Sequence, residues 1–361
     1  MSLNSFIGKL VARTVIKRLE ALGLTVITPD HSTHDSCKQS KPTPLSFNVY
    51  DWSFFTDLVL GKDIGLAKSY IEGKWNHPDL TVLFHHLATQ NHNSRSFFDL
   101  FAVNKHIAKV VQNIRSRNSI WWASRNIRSH YDFGNEFFSQ FLDESMTYSC
   151  GIFTNPETTL IEAQQTKIDR LIKKANLKKG DHILDIGCGW GALIQRAANI
   201  PGVKATGITL SREQYSHTKN SILNNQLSNN ADVRLLDYRS LKGKFSHIFS
   251  VEMLEAVGHK GLIRFFEQCA ALLDRNGTIQ IQVIAVPDER YAEYRKNCDF
   301  IQKYIFPGGL LPSLATLNSA ASHNGFKLNN TEAIGNHYAT TLRHWKLRMK
   351  KNHSDILELG Y

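Results

Sequence analysis

Between residues 182 and 284, short apolar runs alternate with segments whose apolar positions recur every third or fourth residue. That rhythm predicts strands at 182–186, 203–208, 232–236, 247–251 and 278–284, and helices at 190–199, 211–224 and 259–273. Strand and helix in regular alternation build a doubly wound parallel sheet, and right-handed crossovers bring its strand ends to one edge. The N-terminal third is patterned differently. Leu3, Phe6, Ile7, Leu10, Val11, Val15, Leu19 and Leu22 form a stripe with a period of about 3.6 residues, with Lys9, Arg13 and Lys17 off that face and Gly23 as a C-cap. Such a basic amphipathic helix docks on its own domain, its commoner fate, or lies on an anionic lipid interface. Residues 29–44 have the Pro, Ser and Thr content of an exposed loop. Their His31, His34, Asp35 and Cys37 match no standard metal spacing. A short strand around Phe47, Val49 and Tyr50, a helix from Phe54 to Leu60 ended by Gly61, and a helix from Leu80 to Ala88 complete a small α+β domain. A polar, basic stretch at 91–120 reads as helix and linker.

One corner of the pattern carries chemistry. Ile183-Leu184-Asp185-Ile186-Gly187-Cys188-Gly189-Trp190-Gly191 is an apolar strand, an acid, a glycine-rich turn and a helix start. Missing Cβ atoms let a ligand approach the backbone, and the helix N-terminus presents unpaired N–H groups. The spacing G-x-G-x-G differs from the G-x-G-x-x-G of dinucleotide folds. It resembles motif I of class I S-adenosylmethionine-dependent methyltransferases, which implies a Rossmann-like sheet and places Asp185, Gly187, Gly189 and Gly191 at the cofactor.

Composition narrows the class. A chain of 361 residues with 42% hydrophobic and 21% charged residues has material for a real core and exceeds the usual single domain. We therefore expect two domains, 1–120 and 121–361. The balance of 43 Lys and Arg against 32 Asp and Glu, a net +11, favours a polyanionic surface. Nucleic acid is disfavoured because no module interleaves basic and stacking residues. Five scattered cysteines without a C-x-x-C pair argue against a disulfide framework or zinc site, so no metal is expected and a reducing cytoplasm fits. With no apolar run of about 18 residues and no cleavable leader, membrane contact is expected to be peripheral.

The stretches Ser129-His130-Tyr131-Asp132-Phe133-Gly134-Asn135-Glu136-Phe137-Phe138 and Phe141–Phe153, together with Lys167-Ile168-Asp169, resemble the lead-in to the catalytic domain of cyclopropane-fatty-acyl-phospholipid synthases and of the related mycolic acid and fatty-acid methyltransferases. The resemblance implies cofactor contacts from Tyr148 and Ser149, from Leu210 and Gln214 in Thr209-Leu210-Ser211-Arg212-Glu213-Gln214, and from Asp237 and Tyr238 at the adenine. A turn acid is the plain alternative for Asp237. It also implies a bicarbonate ion as catalytic base, held by Cys150, Glu255 and Tyr338. Two departures bear on that ion: Ala256 stands for a His in Glu255-Ala256-Val257-Gly258, and Gln282 replaces a bicarbonate-binding His, keeping an amide donor. A fatty-acid methyltransferase subgroup looks similar at this place. The segment Asp299–Ser313, with Tyr304 and Phe306 as wall candidates, resembles a cap over the site. After Trp345 the family continues with further helices and a last strand, whereas this chain stops at Tyr361, so an unpaired sheet edge is expected.

The expected reaction is methylene transfer from S-adenosylmethionine to a cis double bond of a phospholipid acyl chain, giving a cyclopropane. C-methylation of a fatty chain and an impaired lipid-binding relative are the alternatives. The expected partners are an unsaturated phospholipid in an anionic membrane surface on the inner, cytoplasmic face and, as an option, a second copy of the chain.

Overall fold

A computed structural model describes residues 3–34, 45–89 and 133–361. The chain forms two compact units, Met1–Ser129 with Cys298–Pro307, and His130–Asn297 with Gly308–Tyr361. The boundary expected after residue 120, the 91–120 linker and Ser129–Asp132 lie outside the described residues, as do Asp35 and Cys37. Cys298–Pro307 contains a short π-helical turn, Ile301–Ile305, and Tyr304 packs on Phe300 at 5.4 Å. This first part of the expected cap therefore counts with the N-terminal unit, although it lies late in the sequence.

In the first unit, helix α1 (Leu3–Ala21) precedes a four-stranded sheet of order β2-β1-β3-β4, made of β1 (Thr25–Ile27), β2 (Thr33–His34), β3 (Ser46–Val49) and β4 (Trp75–Asn76). Helices α2 (Ser53–Ile71) and α3 (Leu80–Thr89) complete it. Val15, Leu19, Phe54, Phe55, Leu58 and Trp75 are buried together. Two expectations change. The helix from Phe54 runs past Gly61 to Ile71, broken at Lys62, whose φ of 51° is left-handed. The buried face of α1 is Ser5, Gly8, Ala12, Val15, Ile16 and Leu19, whereas Leu3, Phe6 and Leu10 are exposed. Close approach explains this rotation: a Cβ on Gly8 would lie 1.8 Å from the Trp52 carbonyl oxygen, so the seam at that point admits no side chain.

The second unit holds a five-stranded sheet of order β7-β6-β5-β8-β9, with every pairing parallel. Its strands are β5 (His182–Ile186), β6 (Lys204–Thr209), β7 (Ala231–Leu235), β8 (Phe245–Val251) and β9 (Leu273–Gln282). Their alternation sends Leu184, Ile186 and Ile248 to one face, against Phe265 and Leu262 of helix Gly258–Leu272. Ile183, Ala205 and Phe249 go to the other, against Ile194 of helix Ala192–Ala198 and Ile168 of helix Leu160–Ala175. Burial on both faces is why these strands read as continuous apolar runs. Helix Leu160–Ala175 starts at a capping box in which Thr159 and Glu162 exchange hydrogen bonds. The expected doubly wound parallel sheet is thus present, with β9 paired to a single strand among the described residues.

Candidate active site

The strand order reverses around β5, and open α/β sheets bind ligands outside the carboxyl ends of their strands at such a point. The glycine turn lies there. Gly187 and Gly191 have φ of 80° and 86°, and a Cβ on Gly187 would come 2.7 Å from Met253 Cγ, so both positions need glycine for conformation and for space. Gly189, at φ 54°, has nothing within 4 Å of where its Cβ would stand. Asp185, at the end of β5, is buried and keeps Oδ1 without a hydrogen-bond partner. Burial pushes its pKa up to about 7, against the opposing pull of Lys167. After β6, Leu210 is 74% exposed, leaving that edge accessible, and Thr209 Oγ1 donates to Gln214 Oε1 at 2.7 Å, fixing the Gln214 side chain. This cradle fits a nucleoside carrying a positively charged amino-acid group. Tyr148 and Ser149 stand in a segment gripped from helix Leu160–Ala175: Gln164 Nε2 donates to the Ser149 carbonyl at 2.8 Å, and Lys167 Nζ donates to Ser149 Oγ at 2.6 Å. Burial lowers the pKa of Lys167 to about 8, while Glu252, Asp143, Cys150 and Asp185 act to raise it, so it remains largely cationic at neutral pH.

Next to the cradle, where β8 ends beside β5, the chain makes an unusual move. Glu252 takes a φ of 48°, a left-handed conformation that costs a non-glycine residue about 1–2 kcal/mol. Its N–H donates to the Gln282 carbonyl at 2.7 Å, and its carboxylate turns into a ring of donors. Oε1 accepts from the Cys150 N–H at 2.9 Å and from Gln282 Nε2 at 2.8 Å, while Oε2 accepts from the Tyr338 hydroxyl at 3.2 Å. Gln282 is brought there as the last residue of β9, in register with Val251, and also donates to the Cys150 carbonyl at 3.1 Å. Three donors around one side chain suit an acceptor-only group, the ionised carboxylate. Burial and then the charge of Glu252 raise the Tyr338 pKa, which keeps its hydroxyl a donor. The same two causes push the Cys150 thiol up to about 11, so it is neutral and contributes its backbone N–H rather than a nucleophile.

Cys150, Gln282 and Tyr338 therefore meet as the sequence suggested, but around a different carboxylate. Glu255 lies in the short 3-10 turn Leu254–Ala256 and takes other partners: Oε1 accepts from the Ile284 N–H at 2.7 Å, and its carbonyl accepts from the Leu310 N–H at the same distance. Its Oε2 is buried without a partner, and burial raises its pKa to about 7. The donors assigned to bicarbonate are taken by Glu252, so the ion does not fit this arrangement. Asp237 caps the turn Tyr238–Ser240 and pairs with Arg239, which lowers its pKa. Tyr238, partly buried, makes a T-shaped contact with the core residue Phe265 at 5.7 Å. Sequence reasoning passed over Glu252 although it follows β8 directly; an acid immediately after a parallel strand was the available signal. It also passed over Trp190 and Asn135, whose 2.6 Å hydrogen bond ties the glycine turn to the lead-in segment. Among the described residues, no cluster of His, Cys, Asp and Glu has the form of a metal site.

Comparison with known proteins gives this arrangement its place. A family model described as mycolic acid cyclopropane synthetase matches residues 120–360. Tuberculostearic acid methyltransferase UfaA1 of Mycobacterium tuberculosis is 36% identical over 310 residues, which cover 82% of this chain and 71% of that protein. A probable fatty acid methyltransferase of Pseudomonas putida is 36% identical over 222 residues, 61% of this chain and 56% of that one. The crystal structure of mycolic acid cyclopropane synthase CmaA1 complexed with SAH and CTAB superposes with a TM-score of 0.60 at 34% identity, covering 65% of this chain and 85% of that one. The chain belongs to the mycolic acid cyclopropane synthetase family of S-adenosylmethionine-dependent methyltransferases.

Proposed function

We propose that this protein methylates the double bond of an unsaturated fatty acyl chain, with Glu252 as the base that completes the reaction. The observation that carries this reading is the Glu252 carboxylate, held by Cys150, Gln282 and Tyr338 beside the glycine turn. Asp185, the Gly187–Gly191 turn, Leu210, Gln214, Tyr148 and Ser149 would hold S-adenosylmethionine, which would supply an electrophilic methyl group on a positively charged sulfur. The alkene π pair forms the new carbon–carbon bond, the sulfur keeps the electrons of the broken bond, and positive charge is left on the neighbouring acyl carbon. Glu252 then takes a proton from the transferred methyl, the role of a positioned general base. If that proton leaves at once, the freed electron pair closes a cyclopropane ring. If a hydride first shifts from the methyl-bearing carbon to its cationic neighbour, the same pair forms an exocyclic methylene.

One base serves both outcomes, and we favour the methylene-branched product. Two relatives at 36% identity carry methyltransferase names, and Gln282 departs from the ring-forming pattern at a place where a fatty-acid methyltransferase subgroup looks similar. The test is to incubate the purified full chain with methyl-labelled S-adenosylmethionine and vesicles of a monounsaturated phospholipid, and to examine the released fatty acids by proton NMR. Both products gain one CH2 unit, so mass alone does not separate them. Exocyclic methylene protons support this assignment, cyclopropane protons replace it with ring closure, and unmodified lipid contradicts both.

A further inference from the structure

Among the described residues of the first unit, one side of α1 is left exposed. Leu3, Phe6 and Leu10 are 60%, 55% and 67% exposed, and their spacing puts them on one side of α1. The opposite side makes the seam, through Gly8, Ala12, Val15, Ile16 and Leu19. Arg13 and Lys17, both exposed, continue this side towards the C-terminal end of the helix, Lys9 flanks it with its ammonium over the Trp52 ring at 5.5 Å, and the one acid of the helix, Glu20, comes after Lys17. Three large apolar side chains in solvent, with Arg13 and Lys17 on the same side of the helix, make a surface with a preferred complement.

We propose that the Leu3–Phe6–Leu10 side of α1 docks this chain on an anionic lipid bilayer, with the three apolar side chains entering the interface and Lys9, Arg13 and Lys17 meeting the headgroups. The charge pattern selects this occupant. A nucleic acid would answer the cations and leave the apolar side chains in water. A second copy would bring the same three cations against a single acid, Glu20, near the end of the helix. A bilayer answers both features, since apolar burial and attraction to anionic lipid add for a helix lying in the interface plane. The surplus of 43 Lys and Arg over 32 Asp and Glu favours the same surface.

The test is co-sedimentation of the full chain with phosphatidylglycerol or phosphatidylcholine vesicles at low and high salt, with self-association followed by light scattering. Vesicle binding is read without turnover, so its outcome is separate from that of the chemistry assigned to Glu252. The wild-type chain should favour the anionic vesicles and lose much of that binding at high salt. Neutralising Lys9, Arg13 and Lys17 to Gln should weaken it on the order of a hundredfold. Leu3→Ser, Phe6→Ser and Leu10→Ser combined should weaken it by at least about tenfold, with an unchanged melting temperature. Equal vesicle binding by the wild type and the charge-neutralised variant overturns the proposal, even if the serine variant does not fold. So does a serine variant that changes only the oligomeric state, which would make this side a contact between copies.

Discussion

Glu252 holds a backbone conformation that a glutamate ordinarily avoids, and the strain is offset by three hydrogen bonds that converge on its carboxylate. An observed outlier of this kind points to function because its surroundings must over-determine it. Tyr338→Phe removes one donor to a charged acceptor, an interaction worth about 1.5–3 kcal/mol. Turnover should fall by about ten- to a hundredfold while S-adenosylmethionine affinity by calorimetry stays close to wild type; a lost affinity with intact turnover would contradict the assignment. Glu255 makes a different prediction. Its pKa rises from 4.5 to about 7, first through burial, so the folded chain holds a proton there that the unfolded chain releases. That contribution to stability is complete below about pH 4.5 and is lost as pH rises through 7. Relative to Glu255→Gln, the wild-type melting temperature should therefore decline across this window, and a constant difference would argue against the raised pKa. Cys150, Gln282 and Tyr338 were legible in the sequence because each sits in a recognisable segment. The carboxylate they surround was not, since its place depends on one left-handed φ and on the register of β8 with β9.

At the scale of elements, the buried parallel strands were the most readable part. Two covered faces force unbroken apolar runs, and β5 spans the expected residues. Helix α1 was readable as a helix but not as a packed one. Its apolar stripe suggested a face containing Leu3, Phe6 and Leu10, whereas the seam is built on Gly8 and Ala12, where small size rather than hydrophobicity decides. Gly8→Ala tests this. Helix propensity favours the alanine by about 1 kcal/mol. The overlap of its Cβ with the Trp52 carbonyl works against it, and overpacking costs about 1–3 kcal/mol or more. Net destabilisation in chemical denaturation is expected, and a stabilised variant would show that the seam is looser than described. The break in α2 at Lys62 escaped reading because Gly61 looked like a terminus and a left-handed lysine has no sequence signature.

At the scale of the molecule, two compact units divide the labour proposed here. The second carries the cradle and the base, and the first carries an apolar and basic surface suited to lipid. The return of Cys298–Pro307 to the first unit was hidden from the sequence, because a segment's neighbours in space leave no mark on its own composition. No helix among the described residues is long and apolar enough to cross a membrane. The account rests most heavily on a carboxylate supplied by the chain itself. Transfer of labelled methyl to a monounsaturated lipid should therefore be compared in bicarbonate-depleted and bicarbonate-supplemented buffer, for the wild type and for Glu252→Gln, with S-adenosylhomocysteine binding measured alongside. We predict wild-type turnover indifferent to bicarbonate and a loss of about a hundred- to ten-thousandfold in Glu252→Gln with cofactor binding retained. Wild-type turnover that depends on added bicarbonate, or a Glu252→Gln variant that turns over normally, would contradict it.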